Sequence, residues 1–240
     1  MRSKKLHGIF IAFRVAAHIF YMSIVQLLDA LLGRLSIPSV DARVQQFAQG
    51  VLHITRTRVK TSGVSHIDKS QSYVFMSNHQ SVIDIPVLFA AIPNSFRMMF
   101  KSQLQRVPIW GRAMEKAGFI PIDRKDRFKA IQQLEVAKQS LKKGVSIWIA
   151  PEGTRSRTLE LGPFKKGGFH TAISLHIPIV PVWIEGAAKV VKPDSIVVHS
   201  GLTVSVRIGK PIDTVGYDKS NLTKLMERVR HEMLELSHDR

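Results

Sequence analysis

The sequence predicts an α/β fold: a layered sandwich with a largely parallel central sheet flanked by helices, plus an N-terminal membrane-associated two-helix hairpin. Three observations carry that prediction. Short apolar runs rich in β-branched and aromatic residues recur at Tyr73–Met76, Val145–Ile149 and Ile179–Ile184, as strands buried on both faces require. Segments with helical spacing separate them, which is the alternation of a βαβ chain. The most apolar part of the chain, Leu6 to Leu32, precedes both and is opened by Arg2, Lys4 and Lys5. Residues 1–55 therefore divide off as a helical anchor at a membrane interface, and 56–240 as the α/β domain.

The apolar N-terminal segment is interrupted by Arg14, His18 and Asp29. The uncharged run between Arg14 and Asp29 amounts to roughly 21 Å of helix, short of the ~30 Å hydrocarbon core. Snorkelling of Arg14 keeps a span open, and no clean small-residue cleavage site marks a signal peptide. A second helix is expected from Asp41 to about His53, after Pro38, with Val44, Phe47, Val51 and Leu52 at helical spacing. Two apolar helices with flanking cations read as a hairpin embedded in one leaflet. Its charged groups would face head groups while Phe10, Phe13, Ile19, Phe20, Ile24 and Leu27 enter the acyl region. The alternative is a helical pair packed on the core.

Thr55 to Lys60 alternates small or apolar residues with cations, the pattern of a strand with one solvated face. Tyr73–Met76 leads through Asn78-His79-Gln80 into a helix over Ile85–Ile92. Its start is either Ser81 or Asp84, because S-x-x-D is a helix-entry form and Pro86 fits only a first turn. Phe96–Lys101 is a strand, Ser102–Arg106 and Pro108–Lys116 are short helices, and Gly118–Ile122 is a strand ending at Asp123-Arg124. Asp126–Lys142 is an amphipathic helix closed by Gly144. Gly167–Leu175 is a helix, Ile196–Ile208 one or two strands, and Lys219–Leu236 a terminal surface helix.

Composition narrows the function. With 45% hydrophobic and 22% charged residues, the chain is neither disordered nor a multi-spanning membrane protein. Lys and Arg number 35 against 18 Asp and Glu, and the net +17 favours an anionic partner: nucleic acid, a membrane face or a phosphorylated substrate. Cys is absent, which excludes disulfides, thiolate nucleophiles and Cys-ligated metals.

Two loops carry candidate chemistry. His79 falls at a strand-to-helix crossing, with Asp84 in or beside the first helical turn. In a continuous helix the two side chains would point roughly 140° apart, so they meet only if His79 folds back from the loop. A carboxylate on one ring nitrogen fixes the tautomer and leaves the other as a base. Taken alone, the same spacing arises often by chance and is more commonly that of a structural pair. Pro151-Glu152-Gly153-Thr154-Arg155-Ser156 follows the strand Val145–Ile149. Parallel sheets bind ligands beyond the carboxyl ends of their strands, so both loops fall on one edge. Gly153 permits close backbone approach, Thr154 offers a hydroxyl and Arg155 a fork suited to phosphate. An ordinary turn with a solvated Arg would carry the same residues.

Four blocks in order, Asn78 to Asp84, Gly118 to Arg124, Pro151 to Ser156 and Ile177-Pro178-Ile179-Val180-Pro181, resemble the glycerolipid acyltransferase family, and within it the 1-acyl-glycerol-3-phosphate acyltransferases. The blocks cover roughly residues 60 to 190. The resemblance implies acyl transfer from a thioester on coenzyme A or acyl carrier protein to the sn-2 hydroxyl of lysophosphatidic acid, giving phosphatidic acid. It implies no other cofactor and no metal. His79 would be the general base and Asp84 its orienting partner. Arg124 and Arg155 would grip the phosphate, with Lys101 a further phosphate candidate, and Glu152, Gly153 and Thr154 would shape the acceptor site. The partners become lysophosphatidic acid in the membrane, an anionic membrane surface and the thioester carrier, with no nucleic acid, on the cytoplasmic face (the inner membrane in a bacterium).

Rival classes fare less well. A serine nucleophile at Ser81 or Ser156 lacks the G-x-S-x-G elbow. A metal site from His79, Asp84 and His170 or His176 lacks a close two-His spacing. A basic membrane- or nucleic-acid-binding protein without catalysis explains the charge, but no recognition-module signature is present. Another lysolipid acceptor is the nearest alternative, since one phosphate clamp serves both.

Overall fold

The apolar runs pair side by side at the centre of one sheet. The computed structural model describes residues 2–122 and 127–239. Its strands are β1 Arg58–Ser62, β2 Val74–Ser77, β3 Phe96–Lys101, β4 Ile120–Ile122, β5 Ser146–Ile149, β6 Ile179–Glu185 and β7 Thr203–Ile208. They lie in the order β1-β7-β6-β2-β5-β3-β4. The five strands from β6 to β4 are parallel, β7 is antiparallel to β6, and β1 follows β7. The helices are α1 Arg2–Leu31, α2 Ile37–Thr55, α3 Asp84–Ala91, α4 Trp110–Lys116, α5 Arg127–Lys142, α6 Gly167–Leu175, α7 Ala187–Val190 and α8 Leu222–His238.

Strand periodicity sorts the core into two layers. Phe75 joins Leu88, Phe96, Trp148 and Val180 on the face covered by α2 and α3. Its neighbours Val74 and Met76 point the other way, to Ile147, Phe169, Val229 and Met233 under α6 and α8. Successive residues of a strand face opposite sides, so an uninterrupted apolar run is what a two-sided strand requires. Burying a Phe or Leu side chain fully contributes ~1.5–3 kcal/mol, and Phe75 and Leu88 are both fully buried.

Several boundaries differ from the sequence reading for local reasons. α2 begins at Ile37 because Ser36 and Ser39 form a reciprocal cap, which leaves Pro38 inside the first turn. It continues to Thr55, where Arg56 takes a left-handed conformation and its N–H closes the helix on His53 and Leu52. Strand β1 consequently starts at Arg58. Ile196–Leu202 forms no strand beyond a single bridge from Val198 to Val191, and the short α7 had no sequence signal.

Among the described residues one helix, Lys5–Leu31, is long and apolar enough to cross a membrane. Phe10, Phe13, Phe20 and Ile24 are exposed, as expected, and Tyr21, Leu28 and Leu31 join them. Ile19 and Leu27 are instead partly covered. Two polar groups expected to face head groups turn toward α2. Arg43 Nε–H donates to Asp29 Oδ2 at 2.7 Å, and His18 Nε2 lies 3.2 Å from the Phe47 carbonyl. Gly50 makes room for that imidazole, since a Cβ there would stand 2.2 Å from Nε2. The hairpin also reaches the sheet: Arg97 Nη1 donates to Asp41 Oδ1 at 2.7 Å, and Ile11, Val40, Ala48 and Val51 belong to the same hydrophobic cluster as Phe75.

Beyond β2, the Asn78 side chain continues the pairing with β6. Its Nδ2–H donates to the Ile184 carbonyl at 2.9 Å, and the Ile184 N–H donates back to Oδ1 at 2.8 Å, both buried. Asn78→Ala strands two buried backbone groups, each costing ~1–3 kcal/mol. We expect a loss of about 3 kcal/mol in urea unfolding; a change under ~0.5 kcal/mol would show that the amide is dispensable.

Candidate active site

The turn between β2 and α3 folds back on the helix entry. Asp84 opens α3, and its Oδ2 accepts three hydrogen bonds: from His79 Nδ1 at 2.8 Å, Gln80 N–H at 2.8 Å and Ser81 N–H at 2.9 Å. The carboxylate is fully buried, whereas the His79 side chain keeps 18% of its surface exposed. A carboxylate only accepts, so Nδ1 carries the proton and Nε2 presents a lone pair. The helix-entry question is resolved in the same place. Asp84 is the first helical residue, and Ser81 Oγ receives the Ile83 N–H while donating to the Val191 carbonyl at 2.7 Å.

The loop after β5 is hydrogen-bonded directly to this turn. Ser156 N–H donates to the His79 carbonyl at 2.7 Å, and His79 N–H donates to Glu152 Oε1 at 3.2 Å. The second oxygen of Glu152 accepts the Gly162 N–H at 2.9 Å. Burial pushes the Glu152 carboxyl above the usual carboxylate range, against the opposing pull of the Gly162 and His79 N–H donors and of the nearby His79 and Arg230 side chains. Arg230 of α8 holds the same loop through the carbonyls of Leu161 and Gly162. Glu152 thus faces inward onto backbone donors, while Thr154 is exposed beside it. Gly153 sits at φ +77, the left-handed region that favours glycine.

Of the three expected cations, Arg155 and Lys101 fall among the described residues. Arg155 is half-buried, with Nη2 3.8 Å from Asp194 Oδ1, and Arg157 Nε lies 3.0 Å from the other oxygen of that carboxylate. Lys101 is exposed at the end of β3; among the described residues no hydrogen bond or ion pair joins it to His79 or Glu152. Arg124 lies outside the described residues. A cavity of about 470 Å³ opens beside the turn, walled by α1, α2, α3 and α4 and almost wholly apolar. Val82 and Ile83 of the turn line it together with Ile196, and Gln26 and Arg43 lie among its few polar neighbours.

The sequence reading missed Trp148, Asp194 and Arg157. For Trp148 a signal existed, as the one large aromatic in the run Val145–Ile149 that leads into Pro151. Its indole Nε1–H donates to Ser77 Oγ at 2.9 Å, and its ring meets the His79 ring at 5.6 Å and 88°. Asp194 sits in a loop with no local pattern.

Proteins similar to this chain are acyltransferases. A family model described as acyltransferase matches residues 58–185. The 1-acyl-sn-glycerol-3-phosphate acyltransferase of Saccharomyces cerevisiae is 34% identical over 234 residues, 96% of this chain and 76% of that protein. The human 1-acyl-sn-glycerol-3-phosphate acyltransferase alpha is 36% identical over 178 residues, covering 74% of this chain and 62% of its own length. The crystal structure of the 1-acyl-sn-glycerophosphate (LPA) acyltransferase PlsC from Thermotoga maritima superposes with a TM-score of 0.81 over 99% of both chains. At 21% identity, that likeness concerns the fold. With the family model spanning both hydrogen-bonded loops, and the yeast relative aligned along nearly the whole sequence, the chain belongs to the acyltransferase family.

Proposed function

We propose that the protein transfers a fatty acyl group from an acyl thioester, on coenzyme A or acyl carrier protein, to the sn-2 hydroxyl of 1-acyl-glycerol-3-phosphate, yielding phosphatidic acid. The observation that carries this reading is the 2.8 Å bond from His79 Nδ1 to buried Asp84, which leaves Nε2 available as base. In the reaction Nε2 takes the hydroxyl proton as that oxygen attacks the thioester carbonyl. The tetrahedral intermediate then expels the thiolate, which receives the proton back from the imidazolium. Asp84 stabilises that imidazolium and holds its tautomer. Arg155 and Arg124 bind the acceptor phosphate, with Lys101 assisting from the end of β3. A phosphate arriving on Arg155 displaces the Asp194 carboxylate, an exposed and therefore weak partner. Ser81 Oγ is engaged with the Val191 carbonyl and the Ile83 N–H, and no G-x-S-x-G elbow presents Ser156 as a nucleophile, so the acyl group passes directly between bound substrates.

The cavity beside the turn lies in the ligand-sized range of ~300–1,000 Å³, and its apolar wall suits a fatty chain. The exposed apolar face of α1 lies in one leaflet and brings the site to lipid-embedded acceptor. The water-soluble carrier approaches from the cytoplasmic side. The direct test is thioester-dependent esterification by purified protein, with and without a chelator, across lysolipids of varied head group. Loss of transfer with chelator, or equal rates on a phosphate-free acceptor, would overturn the reading.

Three expectations follow from these roles. His79→Ala should remove at least ~10²–10⁴-fold in turnover while the melting transition persists, and Asp84→Asn should lose a comparable factor through the wrong tautomer. Near-normal turnover of folded His79→Ala would eliminate the base. A second expectation concerns pH. The Glu152 carboxyl titrates higher in the fold than in the unfolded chain, so the folded state keeps its proton to higher pH. Its contribution to stability therefore falls as pH rises from the ordinary carboxylate range toward the raised value. Glu152→Gln removes that slope and leaves one backbone N–H facing an amide NH₂, so turnover falls as the His79 backbone shifts. Melting curves of both proteins across that range give the comparison; identical slopes would show that Glu152 does not titrate differently on folding. The third concerns the anchor. Phe13→Glu and Phe20→Glu alter exposed side chains, leave the fold intact, and should weaken binding to anionic vesicles by tenfold or more, since burying each ring is worth ~1.5–3 kcal/mol. Unchanged co-sedimentation would place the membrane contact elsewhere.

A further inference from the structure

A hydrogen bond at one nitrogen does not by itself fix an imidazole. The His79 ring is held at Nδ1 by Asp84, and the ring can still tilt about that contact, carrying Nε2 through an arc. A base must stay within hydrogen-bond reach of the proton it takes, and a misplacement of about 1 Å costs on the order of 10²-fold. A second contact on the ring plane is therefore needed, from a group that cannot itself move.

Trp148 meets both requirements. Its ring stands at 88° to the His79 ring with centroids 5.6 Å apart, an edge-to-face contact. The indole is 4% exposed and belongs to β5, paired opposite Phe75 of β2. Its orientation is set by Nε1–H donating to Ser77 Oγ at 2.9 Å, and Ser77 Oγ–H in turn donates to the Asn78 carbonyl at 2.9 Å. The indole is thus tied by hydrogen bonds to the two residues that precede His79. Strand, indole and turn are joined by hydrogen bonds, and the imidazole touches both the Trp148 ring and the Asp84 carboxylate.

We infer that Trp148 is a positioning residue for acyl transfer: its ring fixes the plane of His79 so that Nε2 addresses the acceptor hydroxyl. This rests on the reading of His79 as the base. The hydrogen bond to Ser77 is the lesser part of the device, because it orients the indole and touches neither histidine nor substrate. Loss of the ring should therefore slow turnover, and loss of the N–H alone should slow it much less. Acceptor and donor are held by other groups, so KM should stay nearly constant.

Steady-state kinetics of Trp148→Leu and Trp148→Phe, on protein shown folded by circular dichroism, provides the test. We expect Trp148→Leu to lower kcat at least tenfold with KM within about threefold, and Trp148→Phe, which keeps a ring in place, to recover most of the loss. A kcat for Trp148→Leu near that of the wild type overturns the inference, as does a Trp148→Phe protein no better than Trp148→Leu. A measurement on the unmodified indole covers the case in which Trp148→Leu fails to fold. An imidazole in edge-to-face contact shifts the indole proton resonances through its ring current, so the Trp148 indole signals should move in His79→Gln. Unmoved Trp148 indole resonances in that protein would show that the contact is absent in solution. Normal activity of His79→Ala would instead remove the base itself, an outcome separate from any result at Trp148.

Discussion

The hydrogen bonds between the turn after β2 and the loop after β5 are the constraint on which the site depends. Those strands are neighbours and parallel, so their carboxyl ends deliver both segments to one edge. Adjacency alone leaves a gap of a strand's width. It is closed by Ser156 N–H on the His79 carbonyl and by Glu152 receiving the His79 N–H. Through Gly162, Glu152 also fastens the far part of its loop, which α8 holds from outside by Arg230. A charged carboxylate buried at this point is costly, and its raised pKa expresses that cost. What it provides is a held backbone at the histidine, in addition to the three bonds that converge on Asp84.

The parts of this arrangement that were readable in the sequence are those governed by local pattern. The apolar runs of β2, β5 and β6 are two-sided strands, and their faces sort into two cores by simple alternation. The His79–Asp84 spacing permits a bond only if the histidine folds back, and it does so because α3 begins at Asp84, not at Ser81. The partners that escaped notice lie at long sequence separations. Asn78 pairs with Ile184, Gln80 Nε2 with the Leu159 carbonyl, Ser81 with Val191, and Arg155 with Asp194. None of these partners is marked by spacing or composition, and each pairing exists only once the sheet order is set. Glu152 illustrates the difference within one motif: its residue type suggests a ligand contact, and its geometry gives two backbone donors.

The same distinction governs the N-terminal helices. In the sequence, Asp29 and His18 argue against burial because an isolated charge in an apolar helix is costly. In the structure Asp29 is paired with Arg43 and His18 rests against the Phe47 carbonyl in the space left by Gly50, so α2 supplies what head groups were expected to supply. The argument from charge thereby loses most of its force, and the interfacial reading stands on a different observation. Along α1, Gly8, Ile11, His18, Met22 and Asp29 recur at helical spacing on the side that meets α2 and the body of the protein. Phe10, Phe13, Phe20, Tyr21, Ile24, Leu28 and Leu31 recur on the other. One stripe is therefore committed to protein over almost the whole length of the helix. A helix crossing a bilayer alone offers apolar surface to lipid all round, whereas a helix in the interface plane offers one face. The lengthwise division of α1, and its close approach through Gly8 to the Val198 backbone of the α/β domain, are what the proposed placement of the helix in the plane of the membrane surface requires.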